Sequence, residues 1–146
     1  MVISIKTVTT KKDLERCFYI REEVFIKEQK ISEYIEFDDE TLKATYFAAS
    51  YGKKIVGTAR CRSTKGGVKL ERFAVLRSFR NLGIGRKLLL FMLSYTKNEG
   101  EIYLHAQKSV IEFYAKLGFK RIGSRFFEAE IPHQKMIYDQ NLNQYG

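Results

Sequence analysis

The sequence holds little of what staples or anchors a chain. Its two cysteines, Cys17 and Cys61, belong to no paired motif and have no histidine near them in sequence. That argues against a metal site or a disulfide framework and makes a reducing compartment the default. No apolar stretch approaches the roughly 20 residues of a membrane span. The opening Met1-Val2-Ile3-Ser4-Ile5-Lys6 is too short an apolar run for a signal peptide, so a cytoplasmic protein with no membrane partner is expected. Proline occurs once, at Pro132, and there is no internal repeat or low-complexity tract.

What is present is ordinary for a globular chain. With 146 residues, 45% of them hydrophobic and 29% charged, the sequence is long enough to bury a core without staples, and one domain spanning 1–146 is expected. Lys and Arg number 26 against 17 Asp and Glu, a formal net charge of +9. That excess favours an anionic partner: nucleic acid, a membrane surface or a polyphosphate ligand.

One stretch organises the rest. Val68-Lys69-Leu70-Glu71-Arg72-Phe73-Ala74-Val75 reads as a strand. After a turn, Arg80-Asn81-Leu82-Gly83-Ile84-Gly85-Arg86 leads into apolar positions Ile84, Leu88, Phe91, Met92 and Tyr95 at helical spacing. A loop that needs two glycines where a helix begins leaves backbone N–H groups uncovered at the positive end of the helix dipole, here between two arginines. Such a place suits an anion, above all a phosphate. The blander alternative is a flexible turn with solubilising arginines. No Gly-Lys-Ser/Thr ending marks a nucleoside-triphosphate loop, and no third glycine marks a dinucleotide-binding turn.

Around this stretch, residues 2–8 alternate as a first strand, and Thr10-Lys11-Lys12-Asp13 reads as a capping box opening a helix. Leu14, Cys17, Phe18, Arg21 and Phe25 share one face of it; an arginine on that stripe either pairs with a carboxylate or borders a cleft. Residues 33–40 are acidic in a basic chain, with Glu33, Glu36, Asp38, Asp39 and Glu40 interleaved with Tyr34 and Phe37. This is either a solvated loop or a wall suited to a cationic amine.

Residues 44–50 and 55–62 form a hairpin around Tyr51-Gly52-Lys53-Lys54, and the turn 63–67 delivers the organising strand. The helix after the loop should end near Asn98-Glu99-Gly100, with Gly100 at its C′ position. Glu101-Ile102-Tyr103-Leu104-His105-Ala106 should then be a strand parallel to the organising strand 68–75. Ser109-Val110-Ile111-Glu112 reads as a second capping box, for a helix over 110–117 closed by Gly118. Segments 119–122, 126–131 and 135–138 read as short strands, the last two punctuated by Pro132.

With antiparallel strands first, then Arg80-Asn81-Leu82-Gly83-Ile84-Gly85 opening a helix, then a strand and Phe113-Tyr114-Ala115-Lys116-Leu117-Gly118-Phe119, the chain resembles the GNAT superfamily of acetyl-CoA-dependent N-acetyltransferases over nearly its whole length. Arg21-Glu22-Glu23-Val24-Phe25-Ile26-Lys27-Glu28-Gln29, Leu104-His105-Ala106-Gln107 and Ile131-Pro132-His133-Gln134-Lys135-Met136 look like the ElaA/YjcF-like branch. Where that branch often has a glycine before its Ile-Pro-His, this chain has Glu130.

The resemblance implies an α/β (mixed α+β) GNAT fold: a central mixed, mostly antiparallel sheet, helices on both faces, and a parallel strand pair that splays. It implies coenzyme A as cofactor. Phe73, Ala74 and Val75 would hold the pantetheine amides and Arg80, Asn81, Leu82, Gly83, Ile84, Gly85 and Arg86 the pyrophosphate, with Gln107 also on the cofactor. Arg21, Phe25, Glu28, Glu36 and Asp38 would face the acceptor amine. Tyr114 matches the family's usual acid. Glu71 and His133 are the candidate bases, each with a structural alternative, and His105 reads as core packing. No metal is implied. The partner would be a small-molecule or protein amine, and because many relatives pair, a homodimer is compatible. Two other readings stay open: an acyl-CoA sensor of the same fold without turnover, and, less favoured, a basic nucleic-acid-binding module.

Overall fold

A computed structural model describes residues 2–33 and 43–139. The chain forms two compact units, Met1–Arg62 with Glu71–Lys97, and Ser63–Leu70 with Asn98–Gly146.

In the first unit β1 (Ile3–Thr7) pairs antiparallel with β2 (Thr45–Tyr51), which pairs antiparallel with β3 (Lys54–Thr64) across the expected hairpin. Helix α1 (Lys11–Arg21) starts as the sequence indicates: Thr10 is its N-cap, and its hydroxyl accepts from the Asp13 amide at 3.2 Å. It continues without a break into a π-helix, Glu22–Glu28. Cys17, Ile20, Val24 and Phe25 from this continuous helix pack with Ala48, Ile55 and Ala74. Each fully buried side chain of the Ile or Phe kind contributes about 1.5–3 kcal/mol.

Strand β4 (Gly67–Val75) is shared by the two units. After it come a 3-10 turn at Arg77–Phe79 and helix α2 (Ile84–Tyr95). The buried stripe of α2 is Ile84, Leu88, Leu89, Met92 and Leu93, so Leu89 and Leu93 take inner places that spacing gave to Phe91 and Tyr95. Those two rings instead meet the edge of Phe47, at 5.8 and 5.2 Å between centroids.

In the second unit β5 (Ile102–Gln107) runs parallel to the start of β4, over Val68↔Ile102 to Leu70↔Leu104. Gly67 makes this approach possible, because a Cβ there would fall 2.2 Å from the Glu101 carbonyl oxygen. A 3-10 turn at Lys108–Val110 leads into α3 (Ile111–Lys116). Strand β6 (Phe119–Arg121), β7 (Phe126–Glu128) and β5 all pair antiparallel with β8 (Ile131–Tyr138). In hydrogen-bonded order the strands read β1-β2-β3-β4 and β4-β5-β8-β6. Among the described residues the pairing is therefore mostly antiparallel with one parallel pair, as expected for a mixed α/β fold.

Three local expectations are corrected. Helix α2 ends at Tyr95, where the Thr96 hydroxyl and amide both bond the Met92 carbonyl, and Asn98 rather than Gly100 follows it in a left-handed turn at φ 71°. The Ser109 capping box does not form, because the 3-10 turn makes Val110 the N-cap of α3 with no side-chain bond. Pro132 does not interrupt a strand: it lies inside β8 opposite Phe127. Glu128 and Ile131 flank a two-residue turn, so the next pair outward is non-hydrogen-bonded and needs no N–H from proline.

That turn is Ala129-Glu130, both at positive φ, 49° and 63°. This is the primed geometry that favours Asn-Gly. A non-glycine residue held there costs about 1–2 kcal/mol, partly offset by the entropy glycine loses on folding. Glu130→Gly should thus stabilise the protein by about 0.5–1 kcal/mol, read as a higher urea midpoint at unchanged slope; a lower midpoint would show the turn is not strained.

Candidate functional site

Midway along β4 the chain turns left-handed at Arg72, φ 60°. A single left-handed residue departs from the extended geometry of a strand and turns the chain locally. The parallel register ends two residues earlier, at Leu70↔Leu104. Glu71 stands between and is buried. Its Oε2 takes Arg60 through Nε and Nη2, both at 2.6 Å, and Arg62 through Nε at 2.9 Å. Arg60 and Arg62 are two apart on β3, hence on one face.

Arg60 Nη1 also donates to the Tyr46 hydroxyl at 3.1 Å, and Arg21 Nη1 to the same oxygen at 3.4 Å. Among the described residues Arg21 and Arg60 are the largest side chains fully buried. Arg21, expected on a helix stripe facing either a carboxylate or a cleft, lies over the Phe18 ring, 5.4 Å from its centroid. Glu71 is thus the charge partner of the buried Arg60 and the half-buried Arg62. Phe25, expected at an acceptor site, packs in the apolar core.

Past the strand, Arg80 is bound on three sides. Its Nε donates to the Val75 carbonyl at 2.9 Å, and Nη1 and Nη2 take the Glu28 carboxylate in a bidentate fork at 2.6 and 2.7 Å. The sequence placed Arg80 on a phosphate and Glu28 near an acceptor; the structure joins them. Arg80 holds the Glu28 carboxyl below its ordinary value, and Glu28 pushes the guanidinium higher still. Asn81, Leu82 and Gly83 are exposed. Gly83 caps α2 at φ 83° with no side-chain bond and open space around it, so the first-turn amides of α2 have neither a carbonyl one turn back nor a capping side chain in front. Ile84 is buried, Gly85 half-buried and Arg86 exposed. Ala74 is buried, with Phe73 and Val75 half-buried on either side.

The second unit carries the remaining candidates. Gln107 and His133 are register partners across β5 and β8. Tyr114 is buried on α3, edge-on to Phe113 and Phe119 at 5.1 and 5.9 Å, and burial raises its phenol well above the ordinary value. A tyrosine in that state keeps its proton throughout the neutral range.

A family model described as an acetyltransferase (GNAT) domain matches residues 9–140. The chain belongs to the GNAT acetyltransferase family. The uncharacterized N-acetyltransferase YjcF of Bacillus subtilis is 34% identical over 92% of this chain and 100% of its own. An acyl-CoA N-acyltransferase from Pseudomonas aeruginosa is 25% identical with a TM-score of 0.80, covering 94% of this chain and 99% of that one. Escherichia coli ElaA has the same fold, at 22% identity and a TM-score of 0.83 over 94% and 100% of the two chains.

Within this GNAT acetyltransferase, Glu36 and Asp38 lie outside the described residues. Arg60, Arg62 and Tyr46 were missed by sequence reasoning, although two arginines at alternate positions of one strand were a signal that something acidic faces them. The carboxylate of Glu128 was missed as well. Among the described residues no cluster of His, Cys, Asp and Glu could hold a metal ion.

With Glu71 as a charge partner, Glu71→Gln strands the buried Arg60 guanidinium and should cost about 3–5 kcal/mol in urea unfolding; full stability with lost turnover would instead mark it as a base. Glu28 contributes stability that is complete above its ordinary value of 4.5 and drains away as pH falls through its lowered folded value. Glu28→Gln should therefore flatten the acid limb of a melting-temperature profile.

Proposed function

We propose that the chain transfers an acetyl group from acetyl-CoA to a primary amine, by direct attack within a ternary complex and as a single domain over residues 1–146. The observation that carries this reading is the exposed, glycine-capped start of α2, reached from β4 through the Arg77–Phe79 turn and the loop 80–83, in a chain of the acetyltransferase family. The first-turn amides, with the amides of Asn81 and Leu82 and the Arg86 side chain, suit a pyrophosphate. A helix N-terminus contributes about 0.3–1 kcal/mol to an anion, and charge-assisted bonds add to it. Arg80 then serves the phosphate through its backbone and keeps the loop in place through Val75 and Glu28. Phe73, Ala74 and Val75 supply the strand edge for the pantetheine amides, with Gln107 as a further contact. A polyphosphate ligand supplies the anionic partner that the +9 charge favours, which leaves nucleic acid unneeded.

The thioester carbonyl accepts the neutral amine, and the departing thiolate takes a proton. Tyr114 is the acid of this reading. An ordinary phenol lies roughly 1.5 pKa units above an ordinary thiol, and burial widens that gap, so Tyr114 hydrogen-bonds the sulfur first and yields its proton only as the C–S bond breaks. Of the two candidate bases His133 is preferred, since Glu71 is engaged by two arginines. That same engagement of Glu71 favours, as a second reading, a sensor that binds acyl-CoA without turnover.

Calorimetry should show coenzyme A binding; no heat at millimolar ligand sinks both readings. Free-thiol release with a panel of amines and polyamines separates enzyme from sensor. Tyr114→Phe should lower kcat by roughly 10²-fold with little change in coenzyme A affinity, and unchanged turnover would remove Tyr114 from the mechanism.

A further inference from the structure

On one face of the second unit, two imidazoles meet a single carboxylate. Side chains of alternate residues share a face, and the registers Gln107↔His133, His105↔Lys135 and Phe126↔His133 place His105, Phe126, Glu128 and His133 together. His105 Nδ1 lies 3.1 Å from Glu128 Oε2, and His133 Nε2 lies 3.8 Å from Glu128 Oε1. Phe126 touches both rings, edge-on to His105 at 4.9 Å and stacked on His133 at 6.0 Å.

The hydrogen bonds fix the protons. His133 Nδ1 is 2.7 Å from the Ile131 carbonyl oxygen. A carbonyl can only accept, so Nδ1 carries the hydrogen, and in the neutral ring Nε2 presents its lone pair. That lone pair faces Glu128, which is charged at neutral pH: His105, then Lys69 and His133, hold its carboxyl below the ordinary value. A lone pair facing an anion is unfavourable until a proton comes between them. His105 meanwhile donates from Nδ1 to the other carboxylate oxygen and so aims it. Further charges on this face are Lys69 on β4, which acts on Glu128, Lys135 on β8, which lies over the Tyr103 ring at 4.8 Å, and, toward the far end of β8, Lys120 on β6, paired with Asp139 at 3.7 Å.

We propose that Glu128 is a positioning residue that bridges His105 and His133 and makes His133 Nε2 the acceptor for the proton of a cationic amine substrate. This rests on the N-acetyltransferase reading and supplies its acceptor class. The ammonium gives one N–H proton to Nε2, its nitrogen keeps the electron pair that attacks the thioester, and the imidazolium so formed is held by the half-exposed carboxylate until the proton leaves to solvent. The hairpin turn at Ala129-Glu130, which directly follows Glu128, fixes the carboxylate opposite Ile131, whose carbonyl sets the His133 tautomer.

These are the only two histidines of the chain, so an NMR titration of the intact protein reads both without ambiguity. Glu128→Gln removes the charge and keeps the shape. The His133 midpoint should fall by about half to one pH unit, the size expected of one charge at that distance in a wet site. The acid limb of the kcat/KM profile for an aliphatic diamine should fall by the same amount. Glu128→Asp, with its carboxylate withdrawn, should move both by less in the same direction, and it serves in place of Glu128→Gln if that variant does not fold. An aromatic amine, uncharged at neutral pH, should lose less than twofold.

An unmoved His133 midpoint, a limb that stays while the midpoint moves, or equal losses on both amines overturns the proposal, because a merely structural Glu128 would lower rates without moving either pH value. If the wild type binds coenzyme A but releases no thiol with any amine, the N-acetyltransferase reading fails first, and the proton-transfer role falls with it even where the midpoint has moved.

Discussion

Two guanidinium groups on one buried carboxylate hold β4 at the place where it changes character. Arg60 and Arg62 grip Glu71, and the next residue, Arg72, takes the left-handed bend. Before that point β4 keeps parallel register with β5; after it the strand leads to the loop and α2. Bending a strand exposes ladder groups and costs energy, and such a conformation persists only where its surroundings over-determine it. The ion pairs do so here, since neither Arg60 nor Glu71 can leave its partner without stranding a buried charge.

The basic charge of the chain is put to two different uses. Arg21, Arg60 and Arg62 work within the fold, against Tyr46, Phe18 and Glu71. Arg80 belongs to the same group, because its fork on Glu28 fixes the loop from outside and its Nε holds the Val75 carbonyl. The field at the start of α2 therefore comes from backbone amides together with the exposed Arg86, while these four arginines serve as scaffolding. A helix dipole set by rigid neighbours needs no rearrangement when an anion arrives.

Features governed by residues close in sequence were legible. The Thr10 cap, the β2–β3 hairpin, the glycine-capped start of α2 and the parallel β4–β5 pair all followed from spacing. Where local signals competed, the reading slipped: Ser109 could have capped α3, but a 3-10 turn arrives first, and Thr96 ends α2 by bonding back to Met92 before the glycine is reached. The π-helix had no signal, since Glu22-Glu23-Val24-Phe25-Ile26-Lys27-Glu28 contains no residue that breaks an α-helix. Side-chain partnerships across long separations were not legible. Glu28 and Arg80 stand 52 residues apart and His105 and Glu128 stand 23 apart, and each pair is joined only by folding. The proline misled for a physical reason: its missing N–H matters only where a partner strand would use it, and at Pro132 the β7 ladder does not.

The Ala129-Glu130 turn sets a count as well as a conformation. Strand side chains alternate between faces, so a single residue added to or taken from this turn would slide β7 by one position and carry Glu128 to the far side of the sheet, away from both imidazoles. The letters of the turn are open to change, glycine included. Its length is not, and a chain of this kind can drift in sequence there for as long as every change is a substitution.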